Sequence, residues 1–242
     1  MKKFKYLAVV FLLPMLVFSQ DWGGLKPNGI WDHWSVNANA GVTSYFGDLS
    51  YNDKNIKGKL TFESGPAYGL LITKHFSKLF SISGQFFYGE FKGGNNKNLT
   101  FKTNLAEYSM QANFDFVRLL FPDRSPKFGL EGHAGLGQFL FRATTYELKN
   151  DTETSYVHET GVPEFIYFYG GGAHYHLGES FSITLDLTLH HAMNDKLDNL
   201  VKNDNFDYYS HLSIGVTYYL NSFKTVPMKN KARLAHTGIR EN

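Results

Sequence analysis

The chain has 242 residues, with 24 Lys and Arg against 22 Asp and Glu, and no cysteine. Without cysteine there is no disulfide framework, no thiolate zinc site and no cysteine nucleophile. Three of the bases fall in the first five residues and five follow Leu220; the stretch between has 16 bases against 21 acids, a net charge of −5, which is no footprint for nucleic acid.

In chain order, Lys2, Lys3 and Lys5 precede an apolar run over 6–18 broken by Pro14, and Val17 and Ser19 stand at the −3 and −1 positions of a small-residue cleavage motif. That pattern predicts a secretory leader over 1–19, because the run is too short for the roughly 20 residues of a spanning helix. No later apolar stretch is long enough for such a helix. Residues 20–220 are then one domain and 221–242 a basic periplasmic tail.

Eight alternating segments follow. The first covers 34–46, with Trp34, Val36, Ala38, Ala40 and Val42 on one face and Ser35, Asn37, Asn39, Gly41 and Thr43 on the other. Strands are next expected at 65–75, 79–91, 103–119, 127–145, 164–177, 181–191 and 207–220, each with period-two hydrophobicity. On the fourth, Ala106, Tyr108, Met110, Ala112, Phe114 and Phe116 oppose Glu107, Ser109, Gln111, Asn113 and Asp115. Short connections near Ser77, Pro122 and Gly178 alternate with long ones over 48–63, 92–102, 146–163 and 193–206. Short periplasmic turns and long outer loops are the pattern of outer-membrane barrels, so both termini are expected in the periplasm. The fold class is therefore all-β: an eight-stranded antiparallel transmembrane β-barrel in an up-and-down meander. A soluble sandwich or lipocalin-like barrel would exchange the two faces; the leader, the missing disulfides, the strand lengths and the loop asymmetry favour the membrane reading. Aromatic girdles are expected from Trp31, Trp34, Phe76, Phe80, Phe121 and Tyr219 at the periplasmic rim. The outer girdle is expected from Tyr45, Phe46, Tyr88, Phe91, Tyr146, Phe165, Tyr167 and Tyr208.

Ser44-Tyr45-Phe46-Gly47-Asp48-Leu49, Asn104-Leu105-Ala106-Glu107 and Asp195-Lys196-Leu197-Asp198 resemble motifs of an uncharacterised outer-membrane β-barrel family with porin-like or OmpA-like small barrels. The resemblance spans nearly the whole mature chain. It implies an outer-membrane barrel and supplies no activity and no catalytic residue. The basic tail departs from small barrels that end at their last strand.

The interior of an eight-stranded barrel is just wide enough for side chains, which disfavours a free-diffusion pore. Gln85, Glu107, Asp115, Glu131, His133, Asp186, His190 and His211 fall on the inward face. The turn at Pro122 brings Asp115 near Glu131 and His133. That set offers either an acid–base pair or, as we expect, a structural polar cluster of Glu107, Asp115, Glu131, His133 and Asp186, with His133 bridging two acids. His174 and His176 share a face at i, i+2 spacing, without a third ligand of suitable spacing for zinc. His211-x-Ser213 is similar to the His-x-Ser pair of outer-membrane lipid A deacylases, but alternation turns both residues inward and no acid partner is evident. Gly170-Gly171-Gly172 lies inside a strand, without the strand–turn–helix context of a phosphate loop. No cofactor or metal is expected, and no enzyme activity. The expected partners are outer-membrane lipid and lipopolysaccharide, together with a protein in the outer membrane or periplasm. A structural or accessory subunit of an outer-membrane assembly is the first expectation. A narrow channel for ions or small solutes and a lipid-modifying hydrolase are the alternatives. Tyr51, Lys54, Tyr156 and Asp204 are candidate outer-loop contacts.

Overall fold

The computed structural model describes residues 33–46, 57–59, 63–95, 99–121, 126–149, 152–193 and 207–220. The leader, Trp31, the basic tail, the Asp195–Asp198 motif and Tyr51, Lys54 and Asp204 lie outside the described residues.

Among the described residues nine strands form: β1 (Trp34–Phe46), β2 (Ser64–His75), β3 (Phe80–Asn95), β4 (Leu99–Asp115), β5 (Phe128–Lys149), β6 (Thr152–Glu159), β7 (Glu164–His176), β8 (Phe181–Ala192) and β9 (Tyr208–Leu220). Every pairing between them is antiparallel, and neighbours in the chain are neighbours in the sheet except at β6, which β7 bypasses to pair with β5. The ladder between β1 and β9, from Trp34↔Leu220 to Phe46↔Tyr208, closes the sheet into a barrel and leaves the wall without a free edge below β6. Eight strands make the wall. The ninth, β6, pairs only with β5, from Arg142↔Glu159 to Lys149↔Thr152.

Three elements differ from the sequence expectation. The connection over 92–102, expected as a long loop, is mostly strand, with β3 running to Asn95 and β4 starting at Leu99. The connection over 146–163, expected as a long loop, is largely the β5–β6 hairpin. The reason lies in its residues: Thr152, Thr154, Tyr156 and Val157 favour extended backbone, and only Asn150 and Asp151 separate the two strands. The fourth strand, expected to run to Leu119, stops at Asp115. There the carboxylate Oδ1 accepts from the Arg118 backbone N–H at 3.0 Å and caps a short helix, Phe116–Leu120. Phe116 thus belongs to that helix and not to the strand, although its ring stays on the outer face, over Gly132.

The wall follows period two throughout. Phe114, Leu187 and Ile214 point outward, 52%, 49% and 61% exposed, while Ser83, Glu107 and Ser182 point inward and are buried. A lumen this narrow needs small residues wherever a ring lies against the wall. A Cβ at Gly129 would sit 2.2 Å from His174 Nε2, and one at Gly135 would sit 2.3 Å from Phe168 Cζ.

Candidate functional site

Both faces of the wall are candidates for function, and the outer one sets the frame. On β5 the outward positions Phe128, Leu130, Ala134, Leu136 and Leu140 are exposed, and the first outward charge is Arg142, paired with Glu159 at 2.9 Å. On β3 and β4 the first outward charges at that end are Glu90, Lys92 and Lys102, with Lys102 Nζ 2.7 Å from Glu90 Oε2. At the other end Lys74 lies over the Trp34 ring, 5.2 Å from its centroid. Phe128 to Leu140 is about 40 Å along a strand at roughly 3.3 Å per residue, or about 30 Å in height at a tilt near 40°. An uncharged apolar band of that height around a closed antiparallel barrel is the hydrocarbon-facing surface of an outer-membrane barrel, for which ~25 Å is usual. The chain is an outer-membrane barrel. Among the described residues no helix is long and apolar enough to span a membrane; the strands do so.

The girdles are smaller than expected. Tyr88, Phe165, Tyr167 and Tyr208 are outward and exposed at the outer rim, and Phe76 and Phe121 at the periplasmic rim. Tyr45 and Phe91, expected in the outer girdle, instead point into the lumen and are fully buried. Tyr219, expected at the periplasmic rim, also faces inward, its ring against His75 and His176. Each of these residues occupies an inward position of its strand, and register outranks the general preference of aromatics for headgroups.

The lumen has two halves. Towards the outer end, Tyr45, Phe87, Phe91, Phe101, Leu105, Phe139, Phe141 and Ile166 are 0–4% exposed and form one apolar cluster. Tyr45 and Phe91 stack at 5.4 Å, Phe139 and Phe141 at 5.8 Å, and Phe101 meets Tyr45 edge-on at 5.0 Å. Tyr45 Oη donates to Asp207 at 2.5 Å, and Lys59 Nζ lies 2.8 Å from Glu63 and over the Phe46 ring. Each fully buried Phe contributes roughly 1.5–3 kcal/mol, so the cluster is a stabilising plug as well as a seal.

Towards the periplasmic end the lumen is polar. A cavity of about 110 Å³ is lined there by groups including Thr73, Ser83, Asn113, Glu131, His174 and Tyr219. Its walls are cross-linked: Gln111 Nε2 donates to Asn113 Oδ1 at 2.6 Å, Asn113 Nδ2 donates to Ser83 at 2.8 Å, and Asn37 Nδ2 donates to Thr217 at 2.8 Å. Side chains of the Ser77–Lys78 turn and Arg118 also line it, so this well faces the periplasm.

The five polar residues singled out in the sequence fall into three groups. Asp115 and Glu131 are register partners on β4 and β5, and the imidazole between them is His174 of β7, with Nε2 3.7 Å from Asp115 and Nδ1 4.0 Å from Glu131. His133, expected to bridge those acids, pairs with Asp186 of β8 at 3.5 Å. Its Nε2 lies 3.0 Å from Thr188 Oγ1, and that hydroxyl donates to Asp186 Oδ1 at 2.7 Å. The hydroxyl's single proton goes to the carboxylate, so the hydrogen between His133 and Thr188 sits on Nε2. Glu107 stands apart, at the boundary between well and plug. Tyr209 Oη donates to its Oε2 at 2.8 Å, and His190 Nδ1 lies 3.1 Å from the same oxygen. The His190 ring stacks on Tyr209 at 4.6 Å and on Phe168 at 5.0 Å. All four residues are 0–2% exposed. His174 and His176 both face the lumen, with ring centroids 5.0 Å apart. His211 and Ser213 face it too, His211 edge-on to Phe87 at 4.7 Å.

Sequence reasoning missed the plug and the Glu107–Tyr209 pair. A signal was present: over Leu136–Phe141 and Phe165–Tyr169 both faces carry apolar residues, so part of the lumen must be apolar too.

No protein-family model and no curated protein matches the sequence. Among solved structures the chain is similar to Neisserial surface protein A (12% identity, TM-score 0.46, 78% of this chain and 98% of that one). It is similar also to Ail, the attachment invasion locus protein of Yersinia pestis (13%, 0.43, 77% and 98%), and to the outer membrane protease OmpT of Escherichia coli (8%, 0.44, 81% and 99%). Likenesses this distant assign no activity.

Proposed function

We propose that this barrel is a sealed anchor: a non-enzymatic outer-membrane protein that holds its outer hairpin and loops at the surface as a structural or accessory subunit of a larger envelope assembly. The apolar plug carries this reading. A solute channel needs a continuous wet path, and here the well ends on Phe87, His190, Tyr209 and the rings beyond. The acid–imidazole groups of the lumen lie 3.1–4.0 Å from one another, and Glu107 and Asp186 each accept a hydroxyl hydrogen from a wall residue, Tyr209 and Thr188, which suits structural cross-links better than a site awaiting substrate. His211 and Ser213 are buried away from lipid, which speaks against an acyl-ester hydrolase on the outer wall.

Planar-bilayer recording of the refolded full chain tests it. No unitary conductance is expected; discrete current steps would replace the anchor with the narrow channel. Purification from gently solubilised outer membranes is expected to bring a stoichiometric companion, and its absence would leave a lone barrel. Lipid A acylation in a deletion strain is expected to be unchanged.

A further inference from the structure

The band that meets hydrocarbon is not uniform. Around Gly84 on β3 it sinks into a groove of about 550 Å³, bounded by Leu70 and Ile72 on β2, Phe86 on β3, Met110 on β4 and Leu136 on β5. Gly84 makes the depression: a Cβ built there would meet nothing within 4 Å. From β2 to β5 the groove crosses three interstrand spacings, about 14 Å at roughly 4.8 Å each. Its β5 end holds a hydrogen-bonded polar pair. Tyr108 Oη donates to Gln138 Oε1 at 2.6 Å, and both side chains point outward. The Gln138 amide nitrogen retains two donor hydrogens that no described residue accepts. An unsatisfied amide in a lipid-facing wall is costly unless the lipid itself supplies the acceptor.

Depth names that lipid. Gln138 lies four residues from Arg142, the first outward charge at the outer end of β5, so it sits in the outer half of the band. The outer leaflet there is lipopolysaccharide, whose primary acyl chains carry secondary chains through ester carbonyls that lie inside the hydrocarbon, below the sugar linkages. We infer that the groove binds one secondary acyl chain of lipopolysaccharide, its ester carbonyl accepting from Gln138 Nε2 and its tail lying over Gly84 between Leu70, Ile72 and Phe86. Tyr108 orients the Gln138 amide so that the NH2 faces the carbonyl. The occupant is a lipid chain because the whole groove lies within the hydrocarbon band.

The test uses the refolded full chain, titrated in detergent with purified lipid A or with phosphatidylethanolamine, with bound lipid read by native mass spectrometry. One retained lipid A per barrel is expected. Gln138→Leu, which keeps the apolar wall but removes the donors, should weaken retention at least about fivefold, the usual scale of one lost hydrogen bond. Gly84→Leu, whose Cβ meets nothing within 4 Å and whose longer side chain fills the groove, should weaken it as strongly. The unfolding midpoint of each variant confirms that the barrel is intact. Equal retention by wild type and both variants would overturn the site, as would equal retention of phosphatidylethanolamine. A barrel dimer abolished by Gly84→Leu would overturn it too, by giving the groove to a second copy of the chain.

Discussion

Which face meets hydrocarbon has a direct energetic signature on β4. Met110 is outward and 65% exposed, and Asn104 lies six residues along on the same face, beside the charged pair of Lys102 and Glu90. Six residues at about 3.3 Å are about 20 Å along the strand, or about 15 Å in height at a tilt near 40°. Phe114, near the periplasmic rim, lies about 10 Å below Met110 by the same conversion. Met110 therefore sits near mid-bilayer and Asn104 near the outer headgroups. An arginine costs ~2–4 kcal/mol at mid-bilayer and ~0–1 kcal/mol near the interface. Met110→Arg should therefore destabilise the barrel by about 2–3 kcal/mol more than Asn104→Arg. The assay is urea unfolding of protein folded into phosphatidylcholine vesicles, followed by the fluorescence of tryptophans including Trp34. If both substitutions cost the same, or Met110→Arg falls within the ~0.5 kcal/mol typical of water-exposed surface positions, the outward face meets water and the membrane assignment is wrong.

Further outcomes follow from the lumen and the outer rim. Phe139→Ala in the plug should cost about 3–5 kcal/mol in the same titration, the sum of lost transfer energy and an unfilled cavity; a cost under ~1 kcal/mol would mean that the plug is loosely packed. Tyr209→Phe removes the donor to Glu107 inside an apolar shell and should cost ~1.5–3 kcal/mol, whereas a change near zero would mean that His190 alone satisfies the carboxylate. At the outer rim burial works to raise the Glu90 pKa, but hydrogen bonds from Lys102 and Lys92 outweigh it and hold the carboxyl below its ordinary range. A depressed folded pKa gives stability that is present above the unfolded value of about 4.3 and is lost as pH falls through the folded one. The stability gap between wild type and Glu90→Gln should therefore persist from pH 7 to about pH 4.3 and close only below it. A gap that widens on acidification would contradict the pairing.

Much of the wall was legible because period two is enforced on both sides. Lipid demands apolar residues on one face, and a narrow interior demands small or hydrogen-bonded ones on the other, so β1 begins and ends where alternation begins and ends. Legibility failed where a second rule acted locally. At Asp115 a side-chain cap outweighed the continuing alternation and ended β4 early. Over 146–163 a polar sequence without a packing partner read as loop, although a two-residue link let it fold back on β5. Within the site, alternation placed Asp115, Glu131, His133 and Asp186 on the inner face. It did not give the register across β5, β7 and β8, which puts His174 rather than His133 between Asp115 and Glu131. For Tyr45 and Phe91 residue type points to the headgroups, whereas the parity of their strands points inward, and parity prevails.

The glycines beneath the rings bear on how such a chain can change. Gly129 and Gly135 leave the space that His174 and Phe168, on the neighbouring strand, occupy. Any side chain gained at one of these glycines must displace a ring more than thirty positions away in sequence. Exchange at Gly129 is therefore tolerated only as a matched pair, since His174 must shrink before Gly129 grows; Gly135 is held more tightly, because a Cβ there would also sit 2.5 Å from the Met110 backbone oxygen. Substitution histories of the two strands should accordingly be locked together, even though each site looks like an ordinary wall position when viewed alone.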